Sequence, residues 1–313
     1  MTRPPKEIEQ QQPAGVAPPE RAPMTVPRVA EMKRNGEPIV MVTAYDFPSG
    51  QVAEEAGVDL VLVGDSAAMV VLGHDSTVPV GMDEMVMLAG AVHRGVTTPL
   101  LIGDLPFGSY EQSNEQAIAN AQRFLKEAGC DAVKLERGGV SVERARAIIN
   151  AGIPVMGHVG LTPQTATALG GFKAQGRTAD TAAKLAEETL ALQSVGCFAV
   201  VFEAIPAAVT EALMPQLEVP VIGIGAGPAT DGQVLVFHDL LGIYGGHAPR
   251  FVRRYAEVRG VMVKGVSEYA NDVRNRRFPT EEHGYSIDPE ELAEFKRYLT
   301  DESLAGTDTP WDW

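Results

Sequence analysis

Three stretches of the chain share one pattern of apolar and polar positions: "EAGVDLVLVGD" (55–65), "EAGCDAVKLE" (127–136) and "SVGCFAVVFE" (194–203). Each reads as the end of a helix, a glycine, a short β-branched run and then an acid. Gly57, Gly129 and Gly196 suit the left-handed residue that closes a helix. The runs after them are nearly continuous in apolar character, as parallel strands buried on both faces are. Five further stretches fit the same mould: "PIVMVTAYD" (38–46), "TPLLIGDLP" (98–106), "IPVMGHVG" (153–160), "VPVIGIGAG" (219–227) and "QVLVFHD" (233–239). Helical periodicity runs through 82–95, 141–151, 178–195 and 207–217, and Ser113 with Gln116 makes a capping pair before "AIANAQRFLKEAG". Thr162 and Pro163 resemble a cap and a first-turn proline. Val252, Tyr255, Val258, Met262, Val266, Tyr269 and Val273 recur every three or four residues, predicting one face of a long helix.

Eight strands alternating with helices predict a TIM (β/α)8 barrel. An open doubly wound sheet fits less well. Its glycine-rich turn belongs after the first strand, whereas here "GIGAG" comes late and Pro228 follows it. The domain reading is an N-terminal arm over 1–24, disordered and rich in Pro and Gln, a single barrel over 25–285, and an acidic extension over 286–313.

Composition narrows the function. A net charge of −15 argues against a nucleic-acid partner. From Asp288 onward there are eight acids against two bases, and Trp311 and Trp313 end that tail. No apolar run is long enough for a membrane span and none reads as a signal core. Two cysteines, Cys130 and Cys197, make no disulfide framework, so the expected location is a reducing cytoplasm.

The strands carry polar residues at their carboxyl ends: Asp46, Asp65, Asp104, Lys134 with Glu136, His158, Glu203, and His238 with Asp239. In this barrel class that end holds the active site. Taken singly, each is more simply a cap or a loop residue. Asp46 and the His238–Asp239 pair keep that reading, Asp59 and Asp131 read as structural, and His74, His93, His247 and His283 as surface or loop residues. Cys130 and Cys197 read as small core residues. The set as a whole resists the simpler reading. Lys134 and Glu136, two apart, share a strand face, and facing outward they would bury two charges in apolar packing at several kcal/mol each. A mutual salt bridge would account for that pair, though not for Asp65, Asp104 and Glu203. Three carboxylates without nearby cysteine favour a hard cation, Mg²⁺ before Mn²⁺ and Zn²⁺. The spacing alone thus points to a Mg²⁺-dependent enzyme that forms an enolate from a small anionic carbonyl substrate, with Glu203 free to act as base.

The motifs "LVGDSAAMVVLGHDSTVPVGMDEM", "IGDLPFGSY", "VKLERGG", "GHVGLTPQ", "GGFKAQGRT", "PVIGIGAGPATDGQVLV" and "HDLLGIYGGHAPRFV", spread over about 24–285, together resemble the ketopantoate hydroxymethyltransferase family. The resemblance implies a barrel of the phosphoenolpyruvate/pyruvate type, assembled as a homo-oligomer, typically a decamer. It implies transfer of a one-carbon unit from 5,10-methylenetetrahydrofolate to 3-methyl-2-oxobutanoate, giving 2-dehydropantoate in pantothenate synthesis. By the same resemblance Asp65 and Asp104 match metal ligands, which also meet the substrate, and Glu136 matches a third metal-site acid acting through water. Ser66 and Lys134 match keto-acid-binding residues, His158 a pocket histidine and Glu203 the catalytic proton acceptor. No short motif marks the folate pocket. Arg137 departs from the pattern, where a glycine or small residue is expected, and "GSY" replaces a Met-containing version. The rival on the same barrel, a carbon–carbon lyase of the isocitrate-lyase type, carries a cysteine loop such as "KKCGH", which this chain lacks. A non-catalytic binding barrel would leave the mouth acids dispensable.

Overall fold

The computed structural model describes residues 21–246 and 249–300. The arm over 1–20, the tail over 301–313 with both tryptophans, and His247 lie outside the described residues. Eight parallel strands close into a barrel in sequence order. They are β1 (Ile39–Thr43), β2 (Leu60–Val63), β3 (Leu100–Asp104), β4 (Ala132–Glu136), β5 (Val155–Gly160), β6 (Ala199–Glu203), β7 (Val221–Ile224) and β8 (Gly232–Leu235). The helices are α1 (Val26–Asn35), α2 (Phe47–Glu55), α3 (Ala67–Val70), α4 (Met82–His93), α5 (Asn114–Ala128), α6 (Val140–Asn150), α7 (Ala179–Ser194), α8 (Ala207–Leu213) and α9 (Phe237–Leu240). The (β/α)8 reading therefore holds. No described helix is long and apolar enough to cross a membrane.

Two apolar cores follow from strand alternation. Inside the barrel pack Ile39, Met41, Leu60, Leu62, Leu100, Ile102, Ala132, Met156, Ala199, Val201, Ile222, Ile224 and Val234, with Val29 and Met32 of α1. Between barrel and helices pack Val61, Leu101, Val133, Leu135 and Val200, with Phe124 and Leu192 among their helical partners. A residue two positions beyond an inner apolar residue is itself inner, so Asp104, Lys134, Glu136 and His158 point into the barrel above that floor.

Acids at strand starts tie neighbouring strands together. Asp59 Oδ2 accepts from Val40 N, Asp131 Oδ2 from Leu101 N and Asp231 Oδ2 from Val221 N, each at 2.8 Å. The structural reading of Asp59 and Asp131 is thus correct. Asp46 caps α2 through Ser49 N at 2.8 Å, as the simpler reading had it.

Several boundaries differ from the expectation. Residues 21–24, assigned to the arm, are tied down: Met24 N donates to Thr98 O at 2.7 Å, and Arg21 pairs with Asp59. The run "QVLVFHD" leaves the sheet at Leu235, and His238 and Asp239 lie in α9. Thr162 makes no side-chain cap, and Pro163–Thr165 is a single 3₁₀ turn. The chain divides into two compact units, the first ending at Glu257 and the second beginning at Val258, where the expectation ran one barrel domain to 285. The second unit holds helices α10 (Val258–Arg274) and α11 (Pro289–Thr300), neither with a buried residue. Val252 and Tyr255 precede α10, so the seven-residue apolar series is not one helical face.

Candidate active site

Asp65, Ser66, Asp104, Lys134, Glu136, His158 and Glu203 line one cavity of about 880 Å³ at the carboxyl end of the barrel. Strand register brings them together. Asp104 of β3 pairs with Lys134 of β4, Glu136 of β4 with His158 of β5, and Gly160 of β5 with Glu203 of β6. Asp65 and Ser66 sit in the turn between β2 and α3. The Asp65 amide donates to Asp104 Oδ2 at 3.0 Å, fixing that turn against β3.

Lys134 Nζ lies 2.8 Å from Asp104 Oδ1 and 3.8 Å from Glu136 Oε1. Its main partner is therefore across the sheet and not two residues along its own strand. His158 bridges two acids, with Nδ1 3.3 Å from Glu136 Oε1 and Nε2 3.3 Å from Glu203 Oε2. Asp65, Asp104, Lys134, Glu136 and His158 are all buried, whereas the Glu203 side chain keeps 15% of its surface exposed.

Burial sets the electrostatics. It pushes the Asp65 carboxyl well above its ordinary range, and the nearby Asp104 and Glu136 charges push the same way. Burial also raises Asp104, more than Lys134 offsets. Burial opposes charge on Glu136, but contacts with His158 and the Lys134 charge hold it below its usual value. For His158, burial and Lys134 oppose protonation, yet Glu136 and Glu203 prevail and raise it to about 9. Lys134 is desolvated, but Asp104, Glu136 and Asp65 keep it charged.

Two residues of the site are invisible to spacing arguments. Gln164, buried in the 3₁₀ turn, donates from Nε2 to Asp65 Oδ2 at 3.0 Å and to Leu105 O at 2.9 Å. Its amide donates to Glu136 Oε2 at 3.2 Å, and its Oε1 accepts from Tyr110 OH at 2.6 Å. Tyr110 oxygen in turn accepts from Glu136 N at 3.3 Å. The only sequence signal for them is membership of "GHVGLTPQ" and "GSY". Asp239, kept with the simpler reading, also lines the cavity, and burial raises its carboxyl. Cys130 and Cys197 are free, buried and placed before β4 and β6, at the opposite ends of those strands from the acids. Arg137 takes the left-handed conformation, φ 74°, which explains why a glycine suits that position.

Among the described residues no three His, Cys, Asp or Glu side chains form a ready-made metal cluster. Mg²⁺ does not need one, because it takes one or two carboxylates and keeps other oxygens for the rest. The donors here are oxygens, carboxylates outnumber cations, and burial opposes charge on both Asp65 and Asp104. A hard divalent cation fits that pair.

The barrel is similar in fold to solved proteins of low sequence identity, one of them described as a phosphoenolpyruvate mutase/isocitrate lyase superfamily member. It is similar to phosphonopyruvate hydrolase crystallised with oxalate and Mg²⁺, with TM-score 0.55 and 14% identity, covering 90% of this chain and 99% of that one. It is also similar to 2,3-dimethylmalate lyase, a member of that superfamily, with TM-score 0.53 and 16% identity, covering 91% and 100%.

The particular family is settled by sequence: the ketopantoate hydroxymethyltransferase model matches residues 23–281, and the chain belongs to that family of enzymes. It is 51% identical to the 3-methyl-2-oxobutanoate hydroxymethyltransferase of Moorella thermoacetica over 85% of this chain and 99% of the relative. It is 49% identical to that of Heliobacterium modesticaldum, over 85% and 97%. The mitochondrial enzyme 1 of Oryza sativa is 53% identical, over 83% and 73%.

Proposed function

We propose that the cavity transfers a hydroxymethyl group from 5,10-methylenetetrahydrofolate to 3-methyl-2-oxobutanoate, giving 2-dehydropantoate and tetrahydrofolate for pantothenate synthesis. The observation that carries this reading is the division among the acids. Three are sealed into the barrel beside Lys134, and one, Glu203, reaches the open cavity. Asp65 and Asp104 would hold Mg²⁺, with Glu136 acting through water. When bound, the ion supplies a fixed positive charge that favours loss of the C3 proton from a 2-oxo acid.

The chain's own groups do the remaining work. Lys134 and Ser66 orient the carboxylate of the keto acid, and Asp65 and Asp104 flank it. Glu203 takes the C3 proton, and the C–H electron pair becomes the C2–C3 double bond of the enolate. Such a base contributes about 10²–10⁴ in rate. His158 steadies Glu203 through Nε2 at 3.3 Å. Water cleaves the donor's two C–N bonds, its hydrogens going to the two folate nitrogens and its oxygen staying on the released methylene carbon. C3 bonds to that carbon, and its oxygen takes up the proton held by Glu203.

The reading includes a homo-oligomer, a decamer by family resemblance, and a cytoplasmic location, supported by two free buried cysteines. The test is an assay of 3-methyl-2-oxobutanoate with and without the folate donor. Formation of 2-dehydropantoate only with folate is expected. Cleavage of a keto acid without folate would favour the lyase reading instead.

A further inference from the structure

Ser66 lines the cavity, and its hydroxyl ends a line of hydrogen bonds that starts at a backbone amide. Phe237 N, at the start of α9, donates to Thr43 Oγ1 at 2.9 Å. Thr43 Oγ1 donates to Tyr45 OH at 2.8 Å. Tyr45 OH lies 2.8 Å from Ser66 Oγ. An amide N–H can only donate, and each hydroxyl has a single proton. Thr43 accepts from Phe237 and gives its proton to Tyr45. Tyr45 is buried and, with Thr43 already donating to it, Ser66 Oγ is the one acceptor within reach for its proton among the described residues. The arrangement that leaves no buried phenol proton unpaired therefore has Tyr45 donating to Ser66. Ser66 then accepts within the protein, and its own proton has no acceptor among the described residues.

Two further observations point the same way. Ser66 occupies the cap position of α3 yet makes no capping bond, so its hydroxyl does not serve the helix. Thr43 and Tyr45 are 3% and 1% exposed, so water does not scramble the direction of the line. The line crosses three strands of the barrel, from the end of β8 through β1 to the turn after β2.

We propose that Thr43 and Tyr45 are positioning residues that hold Ser66 as a dedicated hydrogen-bond donor to the carboxylate of the keto acid. This rests on the reading that Ser66 meets that carboxylate. It adds two residues and a polarity to the anion-binding half of the site. A hydroxyl held as a donor favours an anionic acceptor at no reorganisation cost when the ligand arrives.

The test compares KM for 3-methyl-2-oxobutanoate and kcat in Ser66→Ala, Tyr45→Phe, Thr43→Val, Thr43→Ser and the Tyr45→Phe/Ser66→Ala double variant. Ser66→Ala should raise KM about tenfold, the scale of one hydrogen bond to a charged group. Tyr45→Phe and Thr43→Val should each raise it about fivefold, with kcat within about twofold, while Thr43→Ser stays near wild type. The double variant should be no worse than Ser66→Ala, because the upstream residues act only through Ser66. If Ser66→Ala raises KM but Tyr45→Phe and Thr43→Val do not, the positioning role is wrong while the assignment of Ser66 stands. Additive effects in the double variant, or a fall in kcat at unchanged KM, overturn it equally. An unchanged KM in Ser66→Ala overturns the underlying assignment as well. Should Tyr45→Phe fail to fold, the Thr43→Val and Thr43→Ser pair decides alone, since only the hydroxyl distinguishes their predicted outcomes.

Discussion

Lys134 has two acids within reach, and the register of the sheet chooses between them. Glu136 is nearer in sequence but lies 3.8 Å away, while Asp104, directly across on β3, lies at 2.8 Å. The ion pair thus links two strands, which leaves Glu136 to His158 and Gln164. Gln164 shows the same economy. One buried amide side chain serves Asp65, Leu105 and Tyr110. Gln164→Leu would keep the volume but remove those three hydrogen bonds at a buried position. The expected cost is about 1–3 kcal/mol, read from urea unfolding. Stability equal to wild type would mean that Gln164 ties nothing together.

At the scale of elements, β5 and β6 meet at Gly160, which pairs with Glu203, the proposed base. Gly160 has φ +98°, and a Cβ there would lie 2.2 Å from Glu203 O and 2.9 Å from Ile205 Cγ1. Leu161 N also donates to that Glu203 carbonyl, at 2.8 Å. Gly160→Ala would therefore displace the strand end that carries Glu203. Overpacking of this kind costs about 1–3 kcal/mol, and a shift of about 1 Å at a catalytic group can cost roughly 10²-fold in rate. Steady-state kinetics on the folded variant should show such a fall in kcat, and a wild-type kcat would contradict the placement of Glu203. The strands are readable because their apolar runs are nearly continuous, and Lys134 and Glu136 can be placed at the mouth because they share a face and would bury two charges in apolar packing if they pointed outward. The end of β8 was not readable. "VLVF" continues the apolar run although the sheet stops at Leu235, and periodicity does not separate a short strand from a helical turn. Gln164 and Tyr110 escaped because they lie in a 3₁₀ turn and a loop, where no period constrains direction. The positive φ of Arg137 likewise has no signature in an arginine.

For the molecule as a whole, function depends on convergence. Asp65, just after β2, and Glu203, at the end of β6, are far apart in the chain, yet barrel closure brings both to one cavity. The family match spans 23–281 and so crosses from the first compact unit into the second, while every proposed site residue lies in the first. The central claim is that this cavity ionises C3 of a 2-oxo acid and that Glu203 receives the proton. It is tested by following exchange of the C3 proton of 3-methyl-2-oxobutanoate into deuterated water by NMR, with Mg²⁺ and without folate. Wild-type enzyme should exchange the proton, and Glu203→Gln should lose that exchange by at least about 10²-fold while still binding the keto acid. Exchange at the wild-type rate in Glu203→Gln would contradict the assignment of the base, and no exchange in the wild type would contradict proton removal ahead of the donor.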